Sequence, residues 1–194
     1  MHVSVIIPTY RRAWALPYVL SSLTKQDVKP DEVIIVLKPS GDRSDEVIRG
    51  YTKILNIKIL LQENGYVPTA YAMGIDEANG DILLFIDDDA IAHPEWVRRY
   101  ISLFNDFEDA GAIGGFEYKA YLVNGSLNLT QDPLYREEAT KMIFYRKPLK
   151  ELADYCGWFS ISGYPGAKIC RGDILSARAR TMRIVGGPSF LNFL

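Results

Sequence analysis

The chain has 194 residues, of which 48% are hydrophobic and 24% charged, a composition typical of one globular domain with a substantial core. Its net charge of −2 gives no electrostatic basis for binding nucleic acid or an anionic membrane surface. Only 2 cysteines occur, and they lack metal-ligand spacing, which is typical of a reducing compartment. No apolar run approaches the roughly 20 residues that cross a bilayer. We therefore expect a soluble, cytoplasmic protein.

Strands and helices alternate along the first 116 residues. Apolar runs typical of buried strands occur at residues 3–7, 33–37, 57–61, 82–86 and 112–116. Apolar residues at helical spacing predict helices that include residues 16–23, 47–55, 68–79 and 94–104. This order predicts an α/β fold, an open and mostly parallel sheet with right-handed crossovers. From Tyr118 to about Tyr155 no regular period occurs, and we expect irregular structure there.

Three consecutive carboxylates, Asp87, Asp88 and Asp89, directly follow the fourth strand. Crowded like charges raise one another's pKa, so such a site normally contains a cation or stays solvated. If the strand geometry continues, Asp87 and Asp89 lie on one side and Asp88 on the other. Oxygen ligands without histidine or cysteine favour Mg²⁺ or Mn²⁺, especially beside substrate phosphates. The alternatives are a solvated acidic turn and an N-cap cluster for the next helix.

Three loops that follow strands are predicted to meet at one edge of the sheet, and they comprise residues 8–12, 38–43 and 87–89. In open parallel sheets, ligands bind at the carboxyl ends of the strands, near the point where the strand order reverses. The shared location favours a ligand site over a solvated turn.

The order and spacing of these motifs resemble the family 2 glycosyltransferases, inverting enzymes with the GT-A fold that use a nucleotide-diphosphate sugar. The run Val3–Arg12 resembles the opening strand of the family and its nucleotide-contacting exit, and Ser40 and Asp42 match the loop after the second strand. Phe85–Asp89 resembles the DxD-type metal motif. The resemblance covers about the first 116 residues. It implies a single Rossmann-like GT-A domain over residues 1–194, with a nucleotide-sugar-binding half at 1–116 and a variable, acceptor-binding half at 117–194.

The resemblance also implies roles for individual residues. Asp89 would bind Mg²⁺ or Mn²⁺ bridging the diphosphate, Asp87 would share the metal and contact the ribose, and Asp88 would be a supporting ligand. The metal would neutralise charge on the leaving diphosphate. The other implied nucleotide-sugar contacts are Pro8, Thr9, Tyr10, Arg11 and Asp42. Without the later motifs, Tyr10 and Arg11 would be interpreted as a surface pair.

Two departures from the family pattern lie near the implied donor site. Leu37 and Lys38 stand where the family usually has two acidic residues, one of which pairs with the nucleotide base. The base is therefore not predicted, and Lys38 is either a phosphate contact or a solvated loop charge. Tyr71-Ala72 replaces an Arg-Asn pair that the family commonly has near the diphosphate.

A third departure concerns the acceptor. The acidic catalytic base of the family normally lies shortly beyond the segment that Gly186-Gly187 resembles, and this chain stops at Leu194. An inverting transfer needs a carboxylate to accept the proton of the acceptor hydroxyl. Asp173 is a candidate substitute, with a turn residue as the alternative. We therefore expect the chain to be a fragment or a shortened form, and the catalytic base is otherwise unknown.

The sequence thus predicts a metal-dependent, hexosyltransferase-type glycosyltransferase that acts with inversion on a glycan, lipid-linked or polymer acceptor. Lipid-linked acceptors leave open a peripheral association with the inner face of the membrane. One alternative is a sugar-nucleotide-binding module without turnover. The other is a nucleotidyltransferase, which the absence of glycine from residues 8–12 disfavours, because that class usually has a glycine-rich phosphate loop there.

Overall fold

A computed structural model of the chain describes residues 1–106 and the backbone of four later strands. In chain order the elements are β1 (Val3–Thr9), α1 (Leu16–Thr24), β2 (Glu32–Leu37), α2 (Ser44–Arg49), β3 (Ile57–Leu61), α3 (Val67–Glu77), β4 (Ile82–Phe85), α4 (Trp96–Asp106), β5 (Ala112–Ile113), β6 (Tyr118–Val123), β7 (Ser126–Pro133) and β8 (Arg183–Val185).

The main sheet contains six strands in the order β3-β2-β1-β4-β8-β5, and all of its described pairs are parallel. From β1 the chain adds β2 and β3 on one side and then crosses to add β4 on the other. The strand order therefore reverses between β1 and β4, where Ile6 pairs with Phe85. The predicted α/β class and parallel sheet are confirmed, and the reversal point is where such sheets bind ligands.

Helices cover both faces of this sheet, which explains why its strands have continuous apolar runs. Successive side chains of a strand point to opposite faces, so each strand contributes to two cores. On one face, alternate strand residues such as Val5, Ile35 and Leu84 pack with α1, α2 and α4. On the other face, Ile6 and Phe85 pack with α3.

The predicted helical stripes of α1 and α4 are buried. In α1 these are Leu16, Val19, Leu20 and Leu23, and in α4 they are Trp96, Val97, Tyr100 and Phe104. The prediction of a second helix through Leu55 is wrong in its second half, because α2 ends at Arg49. Gly50 follows, and glycine favours termination of a helix. The apolar residues after Gly50 keep helical spacing although they form a turn. Leu55 is buried, and its N–H donates to Tyr51 O within that turn.

Gly74 allows α3 to approach the sheet closely. A Cβ atom at this position would lie 2.5 Å from Cγ2 of Ile6 and 3.5 Å from Cγ2 of Val36. Real Cβ atoms do not approach buried carbons so closely, so only glycine fits without movement of β1. The close contact holds the preceding turn of α3, which contains Tyr71, against the reversal point.

The prediction of irregular structure after Tyr118 is wrong for the first part of that segment. β6 and β7 pair antiparallel, with Val123 opposite Ser126 and Tyr121 opposite Asn128. The two residues between the strands are Asn124-Gly125, a pair strongly favoured in two-residue hairpin loops. The mixture of aromatic and polar residues gives no clear alternation, and this turn signal would have revealed the hairpin.

One further strand was not predicted. β8 lies between β4 and β5, and a strand of three residues is too short to produce a recognisable pattern. The predicted fifth strand is present at Ala112–Ile113, and the rest of its predicted range, 114–116, lies outside the described residues. Within the part of the chain that the structure describes, no helix combines the length and apolar character needed to cross a bilayer.

Candidate functional site

The candidate site lies at the carboxyl ends of β1 and β4. β1 was predicted to end before Pro8, but it continues to Thr9, and Pro8 pairs with Val36 of β2. The ladder between β1 and β4 has already ended at Ile6, so the missing N–H of Pro8 interrupts no pairing there. In the following loop Arg11 has a φ of 57°, a left-handed conformation that costs a non-glycine residue about 1–2 kcal/mol.

The acidic triplet forms a turn, so the expected strand alternation is wrong. β4 ends at Phe85, and the N–H of Ala90 donates to Asp87 O at 3.1 Å. The three side chains consequently diverge. Asp87 is half-buried and accepts a bond from the Tyr71 hydroxyl at 3.3 Å, Asp88 is only 9% exposed, and the side chain of Asp89 is 44% exposed.

Asp88 connects the ends of β1 and β4. Its Oδ1 lies 3.4 Å from Nε of Arg12, and the backbone N–H of Tyr10 also donates to it. Burial and the neighbouring charge of Asp89 raise the pKa of Asp88, whereas Thr9, Arg12 and the Tyr10 amide oppose this rise. The Thr9 hydroxyl influences that pKa, yet its buried Oγ1 lacks a well-aligned hydrogen-bond partner among the described residues. The interaction of Thr9 with Asp88 joins the last residue of β1 to the turn after β4.

Asp42 joins two of the three loops. Its carboxylate accepts bonds from the Ala13 N–H at 3.1 Å, from Ser40 Oγ at 2.8 Å, and from the N–H and Oγ of Ser44 at 3.2 and 2.8 Å. Burial would raise the pKa of Asp42, but these bonds outweigh burial and lower it below the ordinary value of 3.8. Asp42 therefore fixes the loop after β2 to the loop after β1, and direct contact with a nucleotide stays a prediction.

Asp42→Asn should destabilise the fold by about 1–2 kcal/mol at pH 7, because the hydrogen bonds to a charged acceptor and to the first turn of α2 are weakened. Since the folded pKa is lowered, this stabilisation is complete above the ordinary value of 3.8 and is lost as the pH falls through the folded pKa. Urea denaturation at pH 7 and at about pH 3 would measure the difference between variant and parent. Asp45→Asn, an exposed neighbour on α2, is the control, and an equal loss in both variants would contradict this role.

Lys38 is half-buried and is bound to the loop before α3. Its Nζ donates to Gly65 O at 2.8 Å and lies 5.6 Å from the ring centroid of Tyr10 and 5.8 Å from that of Tyr66. Arg11 also lies over the Tyr10 ring, with its Cζ 5.1 Å from the centroid. Cation–π attraction thus holds these groups together beside the site. The sequence alternatives for Lys38, a phosphate contact or a solvated charge, did not include this tether.

Tyr71 is a site residue that sequence reasoning missed. It was treated only as the loss of a polar Arg-Asn pair, but its hydroxyl bonds to Asp87. Its ring packs edge-on against Phe85, with a centroid distance of 5.5 Å and an angle of 77°. The position of Tyr71 in the sequence could have indicated its role, because it lies on the buried face of α3 one turn before Gly74.

The structure therefore brings together the acidic triplet, Thr9, Arg12 and Tyr71. Tyr10 and Lys38 lie beside them. Asp42 joins the loops after β1 and β2. Among the described residues, no group of three or more His, Cys, Asp or Glu side chains forms a complete metal site. Oxygen donors from one or two carboxylates still fit Mg²⁺ or Mn²⁺ when substrate phosphates supply further ligands. The candidate base Asp173 lies outside the described residues.

A comparison with protein families decides the relationship. The sequence model of Glycosyl transferase family 2 matches residues 4–163. The chain belongs to this family. The resemblance predicted from the motifs is thereby confirmed, and the match extends beyond the first 116 residues.

Two curated relatives match different lengths of the chain. Chondroitin synthase of Escherichia coli is 32% identical over 119 residues, which are 60% of this chain and 17% of that protein. Undecaprenyl-phosphate 4-deoxy-4-formamido-L-arabinose transferase of Pectobacterium carotovorum is 29% identical over 164 residues, which are 79% of this chain and 46% of that protein. The chain thus spans less than half the length of either relative.

Solved structures share the fold. S. aureus TarS in complex with UDP has a TM-score of 0.55 and 27% identity, covering 65% of this chain and 37% of the TarS chain. Glucosyl-3-phosphoglycerate synthase of Mycobacterium tuberculosis, solved with Mn²⁺ and UDP, also has a TM-score of 0.55 and covers 95% of this chain and 69% of its own. At 14% identity, the second likeness concerns the fold alone. The predicted GT-A architecture is confirmed.

Proposed function

We propose that this family 2 domain transfers a sugar from a nucleotide-diphosphate donor in a metal-dependent, inverting reaction. The observation that carries the proposal is the acidic triplet at the strand-order reversal, where Asp89 faces solvent between the ends of β1 and β4. TarS, with 27% identity, was solved with UDP, which supports a nucleotide-diphosphate ligand for the same fold.

The side chains at this edge fit a hard divalent cation. Asp89 would be the principal protein ligand, with Asp87 as the second. When bound there, Mg²⁺ or Mn²⁺ supplies positive charge opposite the leaving diphosphate. Tyr71 orients Asp87 through its hydroxyl, and Asp88 holds the loop that contains Tyr10 and Arg12.

The remaining contacts to the donor are assigned to the loop after β1. We assign Pro8, Thr9, Tyr10 and Arg11 to the base and ribose, with Asp42 holding the loop through Ala13. Asp88 contributes to nucleotide-sugar binding through the same loop. The proton of the acceptor hydroxyl needs a separate carboxylate, for which Asp173 stays the proposed candidate.

The acceptor is proposed from the relatives. The arabinose transferase from P. carotovorum is named for undecaprenyl phosphate, which supports a lipid-linked acceptor and peripheral contact with a membrane. Chondroitin synthase supports a polymer acceptor. A module that binds a sugar nucleotide without turnover is the second candidate, because the proposed acceptor base Asp173 lies outside the described residues.

A thermal-shift panel tests the proposal with UDP, GDP, CDP and ADP, each with and without Mn²⁺. We expect one diphosphate to stabilise the chain only when Mn²⁺ is present, since a ligand at 100 times its Kd stabilises by about 2.7 kcal/mol. The absence of any stabilisation, or a shift that is equal without metal, would reject metal-dependent donor binding. Donor hydrolysis measured on the same samples separates a transferase from a binding module.

A further inference from the structure

The guanidinium of Arg12 lies against two members of the acidic triplet. Its Nε is 3.4 Å from Oδ1 of Asp88, and one terminal nitrogen is 3.4 Å from Oδ2 of Asp89. Its Cζ also lies 5.7 Å from the ring centroid of Trp14. The side chain of Asp88 is 12% exposed and that of Asp89 44%, so the two contacts differ in solvation.

The contact with Asp88 is the better shielded of the two. Asp88 also interacts with Thr9 at the end of β1 and with the Tyr10 amide, and burial strengthens its attraction to a cation. The contact with Asp89 has the same length but is half-exposed, and pairs of that kind contribute about 0.2–1 kcal/mol. Arg12 can therefore leave Asp89 while Nε stays beside Asp88 and the Trp14 ring.

We propose that Arg12 is the built-in counter-ion of Asp89 and makes metal binding conditional on the donor diphosphate. The inference rests on the proposed metal-dependent function. Without nucleotide, the guanidinium and a divalent cation compete for the same carboxylate, since like charges on one ligand repel. With a diphosphate present, the displaced guanidinium donates to a phosphate oxygen, for which its planar donor pattern is well suited.

The two halves of this mechanism predict effects of opposite sign. Arg12→Gln should bind Mn²⁺ alone about two- to fivefold more tightly, because the competing cation is removed. The same variant should lose about fivefold or more of the increase in Mn²⁺ affinity that UDP produces, because the new contact to phosphate is removed. A merely structural role for Arg12 would weaken both kinds of binding.

The experiment titrates Mn²⁺ into the full chain and follows free Mn²⁺ by electron paramagnetic resonance, without UDP and then with saturating UDP. Arg12→Lys keeps the charge and should retain the competition while losing part of the UDP effect. Arg11→Gln is the control for the titration without UDP, because it removes a neighbouring charge that lies over Tyr10. Urea midpoints confirm that each variant is folded.

The outcomes separate the inference from the proposed function. If the parent chain binds Mn²⁺ neither alone nor with any of the four diphosphates of the thermal-shift panel, the proposed function is rejected and this inference with it. If Mn²⁺ and UDP bind together but Arg12→Gln changes neither affinity, only the role of Arg12 is rejected. An equal gain of Mn²⁺ affinity in Arg11→Gln would show a general charge effect and would also reject it.

Discussion

Asp89→Asn should abolish the metal-dependent part of nucleotide-diphosphate binding, with a loss of about a hundredfold or more in affinity for UDP in the presence of Mn²⁺. The amide keeps the size of the side chain but removes the charge that a hard cation requires. Loss of groups that merely support a metal ligand already costs about 10–100-fold in metal affinity. Isothermal titration of UDP with and without Mn²⁺ measures the difference.

Asp76→Asn is the matched control for this experiment. Asp76 is exposed on α3, near the end of the helix that lies away from the acidic triplet, so its replacement removes the same charge elsewhere. We expect its affinity for UDP and Mn²⁺ to equal that of the parent chain. If Asp89→Asn also kept the metal-dependent affinity, the assignment of Asp89 as principal ligand would be wrong.

Phe85→Ala should reduce the free energy of unfolding by about 3–5 kcal/mol, the usual cost of removing a buried aromatic ring. Phe85 is 1% exposed and is the last residue of β4, where its ring supports Tyr71 edge-on. Urea denaturation measures the loss, which is a large fraction of the stability of an ordinary domain. A loss below about 1 kcal/mol would contradict the packing described for α3.

Two further substitutions separate the packing of Phe85 against Tyr71 from the hydrogen bond that Tyr71 donates to Asp87. Phe85→Leu keeps most of the volume and should cost less than about 1.5 kcal/mol. Tyr71→Phe removes the hydroxyl that bonds to Asp87 while keeping the ring. We expect it to change UDP affinity in the presence of Mn²⁺ more than it changes the urea midpoint.

The part of the fold that the sequence predicts well is the part with strong periodicity. Runs such as Val33–Leu37 are continuous because helices cover both faces of the sheet, and the spacing of Leu16 and Leu20 follows from burial of one helical face. The ends of helices depended instead on single residues. At Gly50 the helix has ended, although the apolar residues after it keep helical spacing. Periodicity therefore identified what is buried more reliably than how the backbone runs.

The candidate site was predictable in location but not in detail. The acidic triplet was placed correctly because the carboxyl ends of parallel strands share an edge. The divergence of its side chains could not be predicted, because it depends on the turn that Ala90 closes. The contacts of Tyr71 with Asp87 and of Arg12 with Asp89 join residues distant in sequence, and no local pattern encodes them.

The position of β8 has a consequence for the order in which the chain folds. Ile82 of β4 pairs with Arg183, about a hundred residues later, whereas the pairs of β1 with β2 and of β2 with β3 are complete within the first 61 residues. During synthesis, one edge of β4 therefore stays unpaired until residues 183–185 have emerged. Such an open edge can pair with other chains, and its closure over a long loop is slow. The strand that precedes the acidic triplet is thus open to misassembly until β8 pairs with it.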